Sequence, residues 1–325
     1  MGNTDTTWAI SDGTAGNERQ ALALARALGI EPQVLRIGPR APWRWLAPHL
    51  TLGGLDAIRT INGASLPRPL PALAIGCGRQ SALLTRLLRE RCNGRCFTVQ
   101  ILDPRIDPVH FDVVVAPRHD NLQASNVITT MGALNPVDRE WLAAGRSRFR
   151  RLATLPVPRT AVLIGASNHA QQLDNAYFDR LMQKLAPWYE ADGGSFLVTT
   201  SRRTPLAIRE RLRDAFKRFP GEFWAGSADG ENPYAGFLAW AERIAVTPDS
   251  VNLISEACAT GNPVYTLAMR PITGKLAAFH GALLASGHLR RLGEISRLGQ
   301  PPPLAETAAV AEIVHERWQR FRSSR

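Results

Sequence analysis

Short apolar runs of strand length alternate with amphipathic stretches of helix length along almost the whole chain. That alternation is the signature of βα units wound around parallel sheets, and it excludes all-helical and all-β architectures. In the first half, Thr7–Ser11, Gln33–Ile37, Ala72–Gly76, Phe97–Leu102 and Asp112–Ala116 read as strands. The helix Asn17–Leu28 carries Ala21, Leu24, Ala25 and Leu28 on one face, and Gly29 stops it. A second series runs through Ala161–Ile164, Phe196–Thr199, Arg243–Val246 and Pro263–Leu267. Between the two lies Arg146–Thr160, a basic stretch without periodicity that ends in two prolines, and it reads as a linker. The expected division is therefore an α/β domain over 1–155 and a second over 156–303. Pro301–Pro303 then breaks the chain. Residues 304–325 read as a terminal helix with Val310, Val314, Trp318 and Phe321 along one side, packed on its own domain or crossing back to the first.

A length of 325 residues agrees with two such domains. No stretch approaches the roughly 18 uninterrupted apolar residues of a membrane span. The amino terminus lacks the basic and apolar regions of a secretory signal, so a cytoplasmic protein is expected, with a peripheral place on a membrane left open. Its first six residues, Met1 to Thr6, match the loose N-myristoylation pattern but have no polybasic partner nearby. Cys77, Cys92, Cys96 and Cys258 are too few for a disulfide framework and lack the paired spacing of a zinc module. No metal is expected.

Charge is the unusual quantity. Lys+Arg number 39 against 28 Asp+Glu, and only Lys184, Lys217 and Lys275 are lysines. Arginine presents a planar fork suited to phosphate and carboxylate. Nucleic acid, an anionic membrane surface and a phosphorylated small molecule are the partner classes that follow. No helix-turn-helix, RRM or zinc pattern accompanies the charge, so nucleic acid is not expected.

Four segments carry chemistry. Ser11 to Gln20 lies between a strand and a helix; Gly13 and Gly16 permit a tight turn and close backbone approach, and the next helix offers N–H groups to an anion. Asp12, Asn17 and Gln20 add polar groups that a purely structural turn does not need. There is neither a G-x-G-x-x-G fingerprint nor a Walker lysine. Ile164 to His169 opens the second half in the same way, with Gly165 in the turn and Ser167 or Asn168 as helix cap. Thr199 to Pro205 places Ser201, Arg202 and Arg203 at a strand end, with Thr204 as a cap before Pro205. The most specific segment is Thr247 to Val264. Asp249 or Ser250 starts a helix, Glu256 lies about two turns along it, and Gly261 ends it. A carboxylate there can accept both hydroxyls of a ribose while the helix start faces phosphate.

Other strand ends hold Arg79 and Gln80, Asp103, and His119 with Asp120. Ligands gather at the carboxyl ends of strands in open α/β sheets. Histidine is the residue type suited to act as a base near neutrality, which makes His119 a candidate.

The spacing Glu256-x₄-Gly261-x-Pro263, after a strand and a capped helix, resembles the nucleotide-sugar site of GT-B glycosyltransferases. Within that group the nearest likeness is the transferase that adds N-acetylglucosamine to the lipid-linked peptidoglycan precursor. Asn17 stands where that enzyme carries a histidine, so no base is expected at 17. The chain as a whole resembles the mitochondrial-fission "elongated mitochondria" family and its bacterial relatives. The segments that carry this are WAISDGTAGNERQALALARALG, AIGCGRQSALLTR, VQILDPR, FDVVVAPRHDN, TTMGALNPV, TSRRTP and NPYAGFLAWAERIAVTPDSVNLISEACATGNPVY, together spanning roughly residues 8 to 267.

The resemblance implies a GT-B-like fold: two doubly wound, Rossmann-like domains with a cleft between them. It does not settle the activity; the leading expectation is a metal-independent glycosyltransferase with a nucleoside-diphosphate sugar as donor, needing no further cofactor, with the inverting or retaining outcome open. Gly13, Gly16, Asn17, Gly165, Ser167, Asn168, Ser201, Arg202, Asp249, Ser250 and Glu256 would bind that donor. Asp12, His119 and Asp120 would supply or orient the base, and the unidentified acceptor could belong to a membrane. Two alternatives stay open: a nucleotide-sugar epimerase on the same fold, and a non-catalytic adaptor that binds a protein partner, as the eukaryotic fission factors do.

Overall fold

The computed structural model describes residues 6–168, 171–294 and 299–324. The amino-terminal acylation pattern therefore lies, but for Thr6, outside the described residues, as does His169. The chain divides into two compact units: Met1–Pro136 with Glu306–Arg325, and Val137–Ala305.

Unit 1 holds six parallel strands: β1 (Thr7–Ser11), β2 (Gln33–Arg36), β3 (Leu73–Cys77), β4 (Phe97–Ile101), β5 (Val113–Pro117) and β6 (Val127–Thr130), in the order β2-β1-β3-β4-β5-β6. Every residue of β1, β3, β4 and β5 is buried, as helices on both faces require. Between these strands run the helices α1 (Ala15–Ala27), the single turn α2 (Trp43–Leu46) and α3 (Arg79–Arg91). Alternation along β1 sends Ala9 toward α1 and sends Trp8 and Ile10 toward Leu83, Leu84, Leu87 and Leu88 of α3.

Unit 2 repeats the plan. It contains α4 (Arg139–Arg148), β7 (Arg159–Ile164), α5 (Asn175–Asp192), β8 (Ser195–Thr200), α6 (Leu206–Phe216), β9 (Gly221–Trp224), α7 (Tyr234–Trp240), β10 (Arg243–Val246), α8 (Val251–Ala259), β11 (Val264–Thr266), α9 (Gly274–Ala285) and β12 (Arg290–Arg291). The strand order is β12-β11-β10-β7-β8-β9, and all neighbours are parallel. Two doubly wound six-stranded parallel sheets in series make the fold GT-B-like. Among the described residues no helix is long and apolar enough to cross a membrane.

The division falls after Pro136, earlier than the expected 155. The basic stretch 146–160 is no linker. Its first residues complete α4, Arg150–Thr154 forms a 3-10 turn, and its last two open β7. Phe149 and Leu152 are the reason: both are 1% exposed and pack with Leu197 and Phe237 of unit 2. The terminal helix α10 (Glu306–Ser323) belongs to unit 1. Val310, Ala311, Val314 and Trp318 enter the core beside α1. The Glu306 carboxylate fixes its start by accepting from the backbone N–H of Met131 at 2.7 Å and of Gly132 at 2.8 Å.

Candidate functional site

In each sheet the connections leave in opposite directions from one pair of adjacent strands, and the crevice outside the carboxyl ends of that pair is where an open α/β sheet binds ligands. In unit 2 the pair is β7 and β10. The loops following them are those built on Gly165 and on Asp249, and hydrogen bonds lock the two together. Thr247 Oγ1 accepts from the Gly165 N–H at 2.8 Å and donates to Asp249 Oδ1 at 2.5 Å. Asp249 Oδ2 accepts from the Ala166 N–H at 3.0 Å, and Asn168 Nδ2 donates to the Asp249 carbonyl at 3.0 Å. A Cβ at residue 165 would run into the Asp249 carboxylate. Glycine is needed there for close approach.

Asp249 is 7% exposed, so it organises the loops from within. Burial pushes its carboxyl pKa up; the bonds from Thr247 and Ala166 and the charge of Arg203 pull the other way without reversing it. Folding thus makes this carboxyl hold its proton more tightly than it does in the unfolded chain. Its stabilising contribution is full below the ordinary value of 3.8 and is lost as pH rises through the folded value. The unfolding free energy of the wild type minus that of Asp249→Asn should therefore fall as pH rises above about 4, where ordinary carboxyls ionise. Urea titrations of both proteins across the acid range check this; a difference independent of pH would contradict it.

The third loop follows β8. Arg209 binds it by donating to the carbonyls of Thr204 at 2.7 Å, Arg202 at 2.5 Å and Ser201 at 3.2 Å. Thr204 does not cap α6. Its hydroxyl donates to the Gly165 carbonyl at 2.7 Å, and Pro205 takes the cap position. Nor do Ser167 and Asn168 cap a helix: α5 starts later, capped by Asp174. Ser167 Oγ accepts from the Leu173 N–H at 2.9 Å, and Asn168 Oδ1 from the Gln171 N–H at 2.9 Å, so both shape their own loop. The Ser250 hydroxyl does cap α8, accepting from the Leu253 N–H at 3.3 Å.

Glu256 lies on the inner side of α8, 1% exposed, and accepts a hydrogen bond from the Tyr234 hydroxyl. A ribose at this carboxylate would have to share it with that phenol. At the carboxyl side of the same sheet, Gln171 Nε2, Thr200 Oγ1 and Thr266 Oγ1 are buried without a hydrogen-bond partner among the described residues. Thr266 also lines a cavity of about 400 Å³ with Leu267, Arg270, His280 and Arg291. His280 Nε2 meets the Pro248 carbonyl at 3.0 Å, and burial pulls the imidazole pKa down. A carbonyl can only accept, so Nε2 carries the proton.

In unit 1 the corresponding pair is β1 and β3. Asp12 Oδ1 accepts from the Thr14 hydroxyl at 2.7 Å, the Thr14 N–H at 3.1 Å and Asn17 Nδ2 at 3.1 Å. Asn17 crowds Gly78 at the end of β3, where φ is +89° and a Cβ would meet Asn17 Nδ2. Gln100 braces that turn from below, donating to the Gly78 carbonyl at 3.1 Å. Gly13 stands in the turn with φ +81°, whereas Gly16, expected there too, already lies in the first turn of α1, whose start at Thr14 has no side-chain cap. His119 and Asp120 follow β5, three strand positions from Asp12. That is about 14 Å at the usual spacing, so the sheet does not bring them to Asp12 as an acid–base pair. Arg79 is occupied with the carbonyls of Arg44, Trp45 and Ala47, and Asp103 with Arg105.

Sequence reasoning named Thr204 only as a helix cap and Thr247 only as the start of a segment, and it missed Arg209 and Tyr234. Thr247, Thr204 and Tyr234 act through partners distant in sequence, Arg209 through carbonyls five to eight residues back, and only the strand-end position of Thr247 and Thr204 hints at a role.

The family model described as mitochondrial fission ELM1 matches residues 15–318. The chain belongs to that family. The ELM1 protein of Arabidopsis thaliana is 32% identical over 273 residues, which cover 74% of this chain and 62% of that protein. The chain thus spans less than two thirds of the plant ELM1. An uncharacterised Rickettsia prowazekii protein is 25% identical over an alignment covering 94% of this chain and 97% of its own length. Among solved structures, the UDP-GlcNAc 2-epimerase of Methanocaldococcus jannaschii superposes with a TM-score of 0.55 at 11% identity, covering 96% of this chain and 99% of that one. The glycosyltransferase of kitacinnamycin superposes with a TM-score of 0.51 at 13% identity, covering 98% and 94%. At such identities the likeness is one of fold: this ELM1-family chain shares its architecture with both glycosyltransferases and nucleotide-sugar epimerases.

Proposed function

We propose that unit 2 binds a nucleoside-diphosphate sugar at the carboxyl ends of β7, β8 and β10, and that the protein is a metal-independent glycosyltransferase. The observation that carries this reading is the set of three interlocked loops at the reversal of strand order, with Gln171, Thr200 and Thr266 keeping buried polar atoms unpaired nearby. Buried orphans cost about 1–3 kcal/mol each, so a polar ligand that satisfies them gains by binding.

Because Ser167, Asn168 and Ser201 shape their own loops, they serve the ligand chiefly through the backbone they order. The diphosphate charge falls to Arg202 and Arg203, both exposed beside β8, and to the start of α8 after Ser250. Fixed donors of this kind stabilise the charge that develops on a departing diphosphate. Glu256 takes the ribose hydroxyls. Asp249 is a positioning residue, since an ionised carboxylate facing phosphate would repel it. In unit 1, Asp12 orients Thr14 and Asn17, and the acceptor base falls to His119 with Asp120.

Glu256→Ala is expected to weaken nucleoside-diphosphate binding about tenfold or more, the loss of a charged hydrogen bond. Tyr234→Phe, which leaves the carboxylate in place, should keep the affinity. Calorimetry with uridine, guanosine and adenosine diphosphates reads both. Equal affinity of Glu256→Ala and wild type would leave Glu256 as a packing partner of Tyr234 only. Family membership favours a second reading, an adaptor that keeps the fold without turnover. Consumption of a sugar nucleotide separates the two, and product analysis separates transfer from epimerisation.

A further inference from the structure

Residues 37–72 join β2 to β3, and a crossover between parallel strands normally runs through a helix. Here the regular structure is only the four-residue turn α2 and a 3-10 turn at Gly54–Ala57. Loops of this length within a compact domain are uncommon, and when ordered they generally carry function. This one is ordered. Arg79 donates to the carbonyls of Trp45 and Ala47 at 3.2 and 2.9 Å, and Trp43 Nε1 donates to the Leu52 carbonyl at 2.7 Å. Beneath, Ile37, Ala47 and Ile58 are buried in the core around Trp8.

The outer side is the reverse of what a solvated loop presents. Trp45 is 72% exposed, Leu46 49%, Leu52 75% and Ile61 58%. The same loop exposes Arg40, Arg44 and Arg68, and Asp56 is the sole acidic residue between 37 and 72. Among the described residues none of these three arginines joins an ion pair.

We propose that this loop docks the protein on an anionic lipid bilayer, with Trp45, Leu46 and Leu52 entering the interface and the arginines meeting lipid phosphates. Indole and aliphatic tips beside guanidinium groups match the interface, where an apolar layer adjoins a phosphate layer. A protein partner suits the loop less well. A specific protein interface calls for about 800 Å² on each side with charge depleted at its centre, whereas here three arginines stand among a few apolar tips. The inference is separable from the nucleotide-sugar reading, because the donor site of that reading lies in unit 2 and this loop in unit 1.

The test is co-sedimentation of the full chain with vesicles of phosphatidylcholine, alone or with about 30% phosphatidylglycerol, at about 0.1 M salt. Wild type is expected to pellet with the anionic vesicles and to stay in solution with the neutral ones. The double variant Trp45→Glu/Leu52→Glu should lose about tenfold or more of that binding, since it replaces two inserting groups by two charges that anionic lipid repels. Both side chains point outward, and a melting temperature matching wild type verifies that the variant is folded. Should the variant sediment as wild type does, the +11 chain binds lipid through another surface and the proposal is wrong. Absence of wild-type binding to anionic vesicles overturns it equally and leaves the loop to a protein partner.

Discussion

Ending the chain at Ala305 is expected to unfold unit 1 and leave unit 2 folded. The removed helix α10 lies 170 residues beyond the rest of its unit, yet Val310, Val314 and Trp318 are 3%, 0% and 8% exposed within the core formed by β1, β3, β4 and α1. Phe321 adds an edge-on contact with Phe97, centroids 5.1 Å apart. Burying each such side chain contributes about 1.5–3 kcal/mol, so the helix supplies about 6–12 kcal/mol before entropy. A domain is stable by only about 5–15 kcal/mol in total. Truncation also frees the Met131 and Gly132 N–H groups that Glu306 satisfies, and strips Thr307 from Asn135. Unit 2 loses no element. Calorimetry of the truncated chain should show one cooperative transition of undiminished temperature, with residues up to Pro136 open to protease. Two transitions, or protection of α1 and β1, would contradict the division of the chain.

How much of this the sequence discloses depends on where an element lies in its sheet. The central strands β1, β3 and β5 are buried on both faces and stand out as mostly apolar runs, while β4 shows as the alternation FTVQI although its Thr98 and Gln100 are buried too. The edge strands β6, β9 and β12 are part exposed, and their sequences (VITT, GEFW, RR) carry too little periodicity to be read. Phe149 and Leu152 went unrecognised as core because they sit among arginines, and the i, i+3 pair alone does not define a face. The site divides the same way. Gly13, Gly165 and Ser250 mark turns and caps, which are local chemistry legible in a few residues. The partnerships of Thr247 with Gly165, Thr204 with Gly165 and Tyr234 with Glu256 join residues 82, 39 and 22 positions apart. No local pattern encodes them. Glu256 shows the difference: its helix, stop and spacing were readable, but its burial against a phenol was not.

Gly165→Ala is the single substitution expected to do the most damage to the candidate site. The backbone at 165 could accept alanine, since no positive φ sets it apart. The obstacle is the Asp249 carboxylate, which occupies the place of the new methyl group and is held there by Thr247 and the Ala166 N–H. Either the carboxylate withdraws and leaves the Ala166 N–H and the Thr247 hydroxyl unpaired, or the ends of β7 and β10 part. Overpacking costs about 1–3 kcal/mol and each buried unpaired group about 1–3 kcal/mol. A loss of about 3–5 kcal/mol from unit 2 follows, a fall in melting temperature of about 6–20 °C at the usual 2–4 °C per kcal/mol for a unit of this size. Nucleoside-diphosphate affinity, where present, should fall with it. The double variant Gly165→Ala/Asp249→Ala separates collision from any other cause. Asp249→Ala alone is destabilising because it removes an acceptor, but in its presence the alanine at 165 has room. The two losses should therefore combine to less than their sum by about 1 kcal/mol or more, as contacting residues do. Strict additivity would mean that Gly165 is required for some reason other than the approach of Asp249.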